Sequence, residues 1–163
     1  MKIVIISDIH DNLVNLKRWL SWCKSNEVEA IICCGDICNS ETLCQLADNF
    51  NKEIYLVRGN SDIYNEEEIK KFDNVNYQGS IGVFKIKNQT VGVCHEPWLA
   101  DKILLQERCD IIFCGHTHKP WEEKKQEVKI INPGTLGAVF QKSTFAVWDM
   151  NSGEMELKLT DRL

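Results

Sequence analysis

Three times in the first 62 residues, a short apolar, β-branched run stops at a polar cluster and gives way to a loop. The runs are Lys2 to Ser7, Ala30 to Cys34 and Ile54 to Val57. They stop at Asp8-Ile9-His10, Gly35-Asp36 and Gly59-Asn60. Behind Asn12, a good capping residue, Leu13, Leu16, Leu20 and Cys23 recur at spacings of three, four and three, one face of a helix. Ser40 is placed to cap a second helix carrying Leu43, Leu46, Ala47 and Phe50. Consecutive strand–loop–helix units of this kind build a parallel α/β sheet whose strands are buried on both faces.

Beyond residue 74 the texture changes. Val83 to Ile86 and Thr90 to Cys94 alternate around Asn88-Gln89, the pattern of an antiparallel hairpin. A helix of about Trp98 to Arg108 leads into the strand Ile111 to Cys114, and Val128 to Ile131 ends at Asn132-Pro133-Gly134-Thr135. Thr144 to Trp148 and Met155 to Leu159 flank the turn Asn151-Ser152-Gly153, a second hairpin. The run Glu122-Glu123-Lys124-Lys125 reads as a solvated turn. The expected fold class is α/β, two packed mixed β-sheets flanked by helices, with residues 1–163 as a single domain.

Composition excludes several partners. With 19 basic and 24 acidic side chains the net charge is −5, which makes nucleic acid an unlikely partner and an anionic membrane another. No apolar run approaches the ~20 residues that span a bilayer, and the apolar start at Ile3 is cut short by Asp8 rather than continuing as a leader. The eight cysteines form no C-x-x-C pair, and most lie in apolar strand-like runs; reduced thiols and a cytoplasmic location are expected.

The chain has four histidines, and all four fall at strand ends: His10, His95, His116 and His118. Scattered surface histidines would also land in helices or in the charged stretch 122–129. In parallel α/β sheets the loops at the carboxyl ends of strands converge on ligands. Together with Asp8, Asp36 and Asn60 the histidines offer three oxygen donors and four imidazoles. That is too many for one tetrahedral zinc, but suits two divalent ions sharing a bridging carboxylate. Mixed donors favour manganese first, with iron, nickel or zinc as alternatives, over magnesium or calcium. His116 and His118, two apart after a strand, would present both rings to one side if that segment were extended.

Asp8-x-His10, Gly35-Asp36, Gly59-Asn60-Ser61-Asp62, His95 and Gly115-His116-Thr117-His118 resemble, in order, the calcineurin-like metallophosphoesterase signature. Asn132-Pro133-Gly134-Thr135 is similar to that family's late turn, and the short length resembles its small bacterial and archaeal phosphodiesterase branch. The resemblance implies a four-layer α/β/β/α sandwich. It implies a first metal held by Asp8, His10, Asp36 and His118, and a second held by Asp36, Asn60, His95 and His116, with Asp36 bridging. It also implies in-line attack on phosphorus by a hydroxide between the metals, with Asn60, His95 and His116 as the catalytic residues and the two histidines and the backbone near Gly59 helping to position the phosphate oxygens. The expected activity is that of a phosphoric ester hydrolase acting on a small phosphoester, a phosphodiesterase more than a phosphatase, from a chain that could form a homo-oligomer.

The chain departs from the family pattern at three places. Ser61 stands where many relatives have histidine, and a hydroxyl is a poor general acid at neutral pH. Substrates with good leaving groups are therefore expected. Glu96 follows His95 where a second histidine is common, and Asp11 follows His10 where glycine is frequent. Arg58 and Ser61 are candidates for substrate contact, Arg58 being equally suited to pair with a nearby carboxylate. Trp98, Trp121 and Phe140 are candidates for a substrate rim. The rival from another class is a non-catalytic scaffold of the same fold, like the subunit used by the retromer complex; in that subunit ligand positions are altered, whereas all seven are intact here.

Overall fold

The computed structural model describes residues 1–163. The three opening runs become β1 (Lys2–Ile6), β2 (Ala30–Cys33) and β3 (Glu53–Leu56), parallel neighbours joined through α1 (Leu13–Ser25) and α2 (Ser40–Asn49). Asn12 caps α1 as expected, its side chain accepting from the Asn15 N–H at 3.0 Å. The cap of α2 is Asn39, not Ser40. Asn39 keeps an extended backbone and its Oδ1 accepts from the N–H groups of Glu41 and Thr42, while Ser40 is already helical. The short α3 (Glu66–Ile69) and the edge strand β4 (Val75–Tyr77), parallel to β3, follow; neither has enough length or periodicity to be read from sequence.

The second half supplies β5 (Ile81–Ile86), β6 (Gln89–Cys94), α4 (Leu99–Gln106), β7 (Ile111–Phe113), β8 (Trp121–Lys125) and β9 (Val128–Asn132), then β10 (Thr144–Asp149) and β11 (Met155–Leu159). Two sheets result, ordered β11-β10-β1-β2-β3-β4 and β5-β6-β7-β9-β8. The first hairpin turns at Lys87-Asn88 rather than Asn88-Gln89: Ile86 pairs with Gln89, and Lys87 takes the positive φ. The expected solvated turn at Glu122 to Lys125 is instead the edge strand β8, antiparallel to β9. The turn lies at Gln126-Glu127, both with positive φ. Charged side chains suit an edge strand, where they face water and block further strand pairing.

Period-2 alternation sorts the core into layers. Ile3 and Ile5 of β1 and Ala30 and Ile32 of β2 join Val91, Val93 and Phe113 of the other sheet between the sheets. Val4, Ile6, Ile31 and Cys33 point the other way, onto Leu16, Trp19 and Leu43 of α1 and α2. Ile112 and Ile130 pack outward on Ala100 and Ile103 of α4. The fold is thus the expected α/β arrangement of two mixed sheets flanked by helices. The carboxyl ends of β1, β2, β3, β6 and β7 meet at one edge.

Candidate metal centre

Backbone hydrogen bonds stitch the loops at that edge together before any side chain is considered. Ile9 and His10 both donate to the Asp36 carbonyl, at 2.9 and 3.0 Å, and Asp8 donates to Gly35. Gly35 has φ +91°, and a Cβ there would lie 2.6 Å from the Gly59 nitrogen, so only glycine lets the second and third loops touch. The buried Asp62 carboxylate accepts from the N–H groups of Gly59, Asp36 and Cys38 at 2.7, 3.2 and 2.8 Å. The other sheet joins through the His116 N–H, which donates to Asp8 Oδ2 at 3.1 Å.

Asp8, His10, Asp36, His116 and His118 all have positive φ, between 45° and 69°. Left-handed backbone costs a non-glycine residue roughly 1–2 kcal/mol, so strain is concentrated on candidate ligands. It also means that the Gly115-to-His118 segment is not extended, so the condition for both rings facing one side is not met. The two rings part. His118 Nε2 lies 3.2 Å from His10 Nε2 and 3.1 Å from Asp8 Oδ1, whereas His116 Nδ1 lies 2.8 Å from Asn60 Oδ1. Thr117 is exposed, and its hydroxyl accepts from Asn132 and Trp121, bracing the bend.

One half-site therefore contains Asp8, His10, Asp36 and His118, whose ligand atoms all lie within 4.8 Å of one another. The other contains Asn60 Oδ1, 3.0 Å from His95 Nε2 and 2.8 Å from His116 Nδ1. Asp36 Oδ2 stands between them, 3.6 Å from His10 Nε2 and 3.4 Å from His95 Nε2. The chemistry of these donors fits a cation. Asp8 Oδ1 is fully buried without a hydrogen-bond partner, and two imidazole nitrogens face each other at 3.2 Å. Each arrangement is costly in an empty cluster and resolved by a shared metal ion. His118 Nδ1 and His95 Nδ1 lie 3.1 and 2.8 Å from the carbonyls of Val139 and Cys34; N–H donation there leaves each Nε2 lone pair free to ligate.

The charges support one another. Burial works against ionising Asp36, but hydrogen bonds and charge from His95 and the Ser61 N–H outweigh it and hold the carboxyl at about 2. The Asp8 carboxylate raises His10 above its ordinary value against the opposing effect of burial. Burial disfavours charged His95, yet Asp36 raises it overall. Burial lifts the Asp62 carboxyl despite its three backbone donors.

The remaining candidates divide. Ser61 is at the site: its N–H donates to Asp36 Oδ1 at 2.8 Å, and its hydroxyl accepts from Asn60 Nδ2, turning Asn60 Oδ1 toward the imidazoles. The Arg58 guanidinium is not brought to the cluster. It pairs with Glu66 at 2.5 Å and donates to the Asp62 carbonyl, the carboxylate partner being on α3. Asp11 faces α2, accepting from the Thr42 hydroxyl and the Asn39 N–H. Trp98 and Phe140 are exposed beside the histidines, whereas Trp121 packs on the α4 side of its sheet. Sequence reasoning left Asp62 without a role; its only signal was an acidic residue following the glycine-asparagine turn. It also missed Thr135, whose hydroxyl donates to the Asp8 carbonyl at 2.8 Å.

A family model described as the calcineurin-like phosphoesterase superfamily domain matches residues 1–153. A curated phosphodiesterase of Methanocaldococcus jannaschii is 27% identical over 139 residues, 82% of this chain and 83% of that protein. A solved structure described as a novel archaeal phosphodiesterase superposes with a TM-score of 0.85 at 25% identity, over 98% of this chain and 99% of its own. A Vps29 single mutant from Entamoeba histolytica shares the fold, with a TM-score of 0.71 at 20% identity over 97% of each chain.

Proposed function

The chain belongs to the calcineurin-like phosphoesterase superfamily, and from that premise we propose that it is a phosphodiesterase working with two divalent cations, manganese first among them. It is a metal-dependent phosphoesterase, a hydrolase of phosphoric esters. What carries the finer reading is Asp36 Oδ2, one oxygen within 3.6 Å of an imidazole from each half-site. Divalent cations held here supply Lewis acidity, lowering the pKa of a water and neutralising charge on the phosphate.

The chain's own groups do the rest. Asp8, His10, Asp36 and His118 form one ligand set; Asp36, Asn60, His95 and His116 form the other. The carbonyls of Cys34 and Val139 fix the His95 and His118 rings, and Ser61 fixes the Asn60 amide, so these donors need no reorganisation when substrate arrives. Ser61 offers no proton donor titrating near neutrality, which favours esters with good leaving groups and diesters over alkyl monoesters. We read residues 1–163 as one domain, since the inter-sheet core draws on both sheets, and as cytoplasmic, since all eight cysteines are free.

The test is turnover across phosphomonoesters, cyclic nucleotides and linear diesters with defined metals, alongside elemental analysis. Manganese-dependent hydrolysis of an aryl diester exceeding that of an alkyl monoester is expected. Full metal occupancy with no turnover of any ester would overturn the enzyme reading in favour of a scaffold, for which the likeness to Vps29 offers the fold alone.

A further inference from the structure

Two exposed aromatic rings stand against the candidate ligand imidazoles, one at each half-site. The Phe140 ring stacks on His118, centroids 5.6 Å apart and planes within 20°. The Trp98 ring meets His116 edge-on at 5.2 Å and 86°. Phe140 is 89% exposed and Trp98 62%.

Local stability gives no reason for either residue where it stands. Phe140 has φ 59°, a left-handed backbone that a bulky side chain rarely adopts. Trp98 enters α4 with helical backbone angles and contributes no capping hydrogen bond, so the start of the helix does not call for its indole. Each also leaves a large apolar surface in water. A strained aromatic and an exposed one, both against the imidazoles of the centre, signal a ligand rather than folding.

We infer that Trp98 and Phe140 determine specificity for an aromatic arm on the ester: the substrate is a phosphodiester whose retained, non-leaving arm is an aryl or heteroaryl group that stacks on one of these rings, an assignment that rests on the phosphoesterase reading above. Each platform is one imidazole ring from the ligand nitrogens, close enough for an aryl ester to reach the centre. The Asn60 loop favours a diester. Arg58 is committed to Glu66 and Ser61 is no acid, so a dianionic monoester finds neither a guanidinium nor a proton donor there.

The test uses two diesters with the same 4-nitrophenolate leaving group and a phenyl or a methyl second arm. The phenyl-to-methyl ratio of kcat/KM is taken on the manganese-loaded protein, which cancels intrinsic reactivity between variants. The ratio is expected to fall about tenfold in the Trp98→Ala/Phe140→Ala double variant and to hold in Leu105→Ala, an exposed leucine near the other end of α4. Phe140→Asn, which tolerates left-handed backbone, keeps the readout if the double variant misfolds. A ratio unchanged in these variants, with metal content retained, overturns the inference and leaves the rings as a protein-docking surface. Calorimetry with diphenylphosphinate and dimethylphosphinate, which are not cleaved, separates this from failure of the phosphoesterase reading. If no ester turns over, tighter diphenylphosphinate binding that is lost in the double variant still supports the platforms, and equal affinities sink them.

Discussion

Asp36 Oδ2 is the atom on which both half-sites depend, and Asp36→Asn is the sharpest single change. The variant keeps an acceptor for the Ser61 N–H, so the fold should survive, but it removes the negative charge between the imidazoles. Metal content should drop and turnover fall to near background; retained activity would place the chemistry elsewhere. The titrating residues make a second prediction at this scale. His10 and His95 are raised in the metal-free cluster, so the stability they contribute is fully present below the ordinary imidazole pKa of ~6.5. It is lost as pH rises through their folded values. Asp36, held at about 2, contributes stability present above its ordinary value and lost as pH falls toward 2. Metal-free protein should therefore melt at lower temperature as pH rises from about 6 to 9. With manganese the trend should reverse, because protons compete with the cation for the same nitrogens. Scanning calorimetry with and without metal checks this, and parallel slopes would contradict it.

At the scale of elements, the site depends on how strands end. β7 passes into Gly115, where a Cβ would run into the buried Ser7 Oγ and lie 2.9 Å from Asp8 Oδ2. Neither neighbour can give way, since Ser7 and Asp8 are both fully buried and Asp8 is held among the candidate ligands. Gly115→Ala should cost on the order of 1–3 kcal/mol by overpacking, read as a lower urea midpoint. It should also weaken metal binding, because the bend carrying His116 and His118 is displaced from the β1 loop. A variant with wild-type metal affinity would show that the bend is not set by this contact.

At the scale of the whole molecule, the candidate ligands come from both sheets. Asp8, His10, Asp36 and Asn60 follow strands of the six-stranded sheet, and His95, His116 and His118 follow strands of the five-stranded one. A cation bound here is therefore a bond between layers otherwise joined mainly by the apolar core between them. At a free metal concentration 100 times Kd, binding stabilises by about 2.7 kcal/mol. For a chain of this size that is a rise in Tm of roughly 5–10 °C. Differential scanning fluorimetry with added manganese should show the rise, and a chelator should reverse it. No metal-dependent shift would argue against a site spanning the sheets. No helix is long and apolar enough to cross a membrane.

Much of this was legible from residue order alone. Apolar runs that stop at Asp8, Asp36 and Asn60 announce parallel strands and the edge to which their loops converge, because burial and period-2 geometry are local consequences of sequence. Other features were set by contacts between distant residues. The i, i+2 rule presumes extended backbone, so it could not foresee the left-handed His116 and His118; their division came from the family resemblance, and its physical basis is where the two sheets hold Asp8 and Asn60. Arg58 could not be assigned without knowing that α3 brings Glu66 to it. Glu122 to Lys125 read as a turn because charge marks solvent exposure, which turns and edge strands share; only pairing with β9 distinguishes them. The sequence determined which side chains reach the edge of the sheets. Only the packing of one sheet on the other decided which of them meet, because the distances within a ligand set depend on contacts that no local pattern encodes.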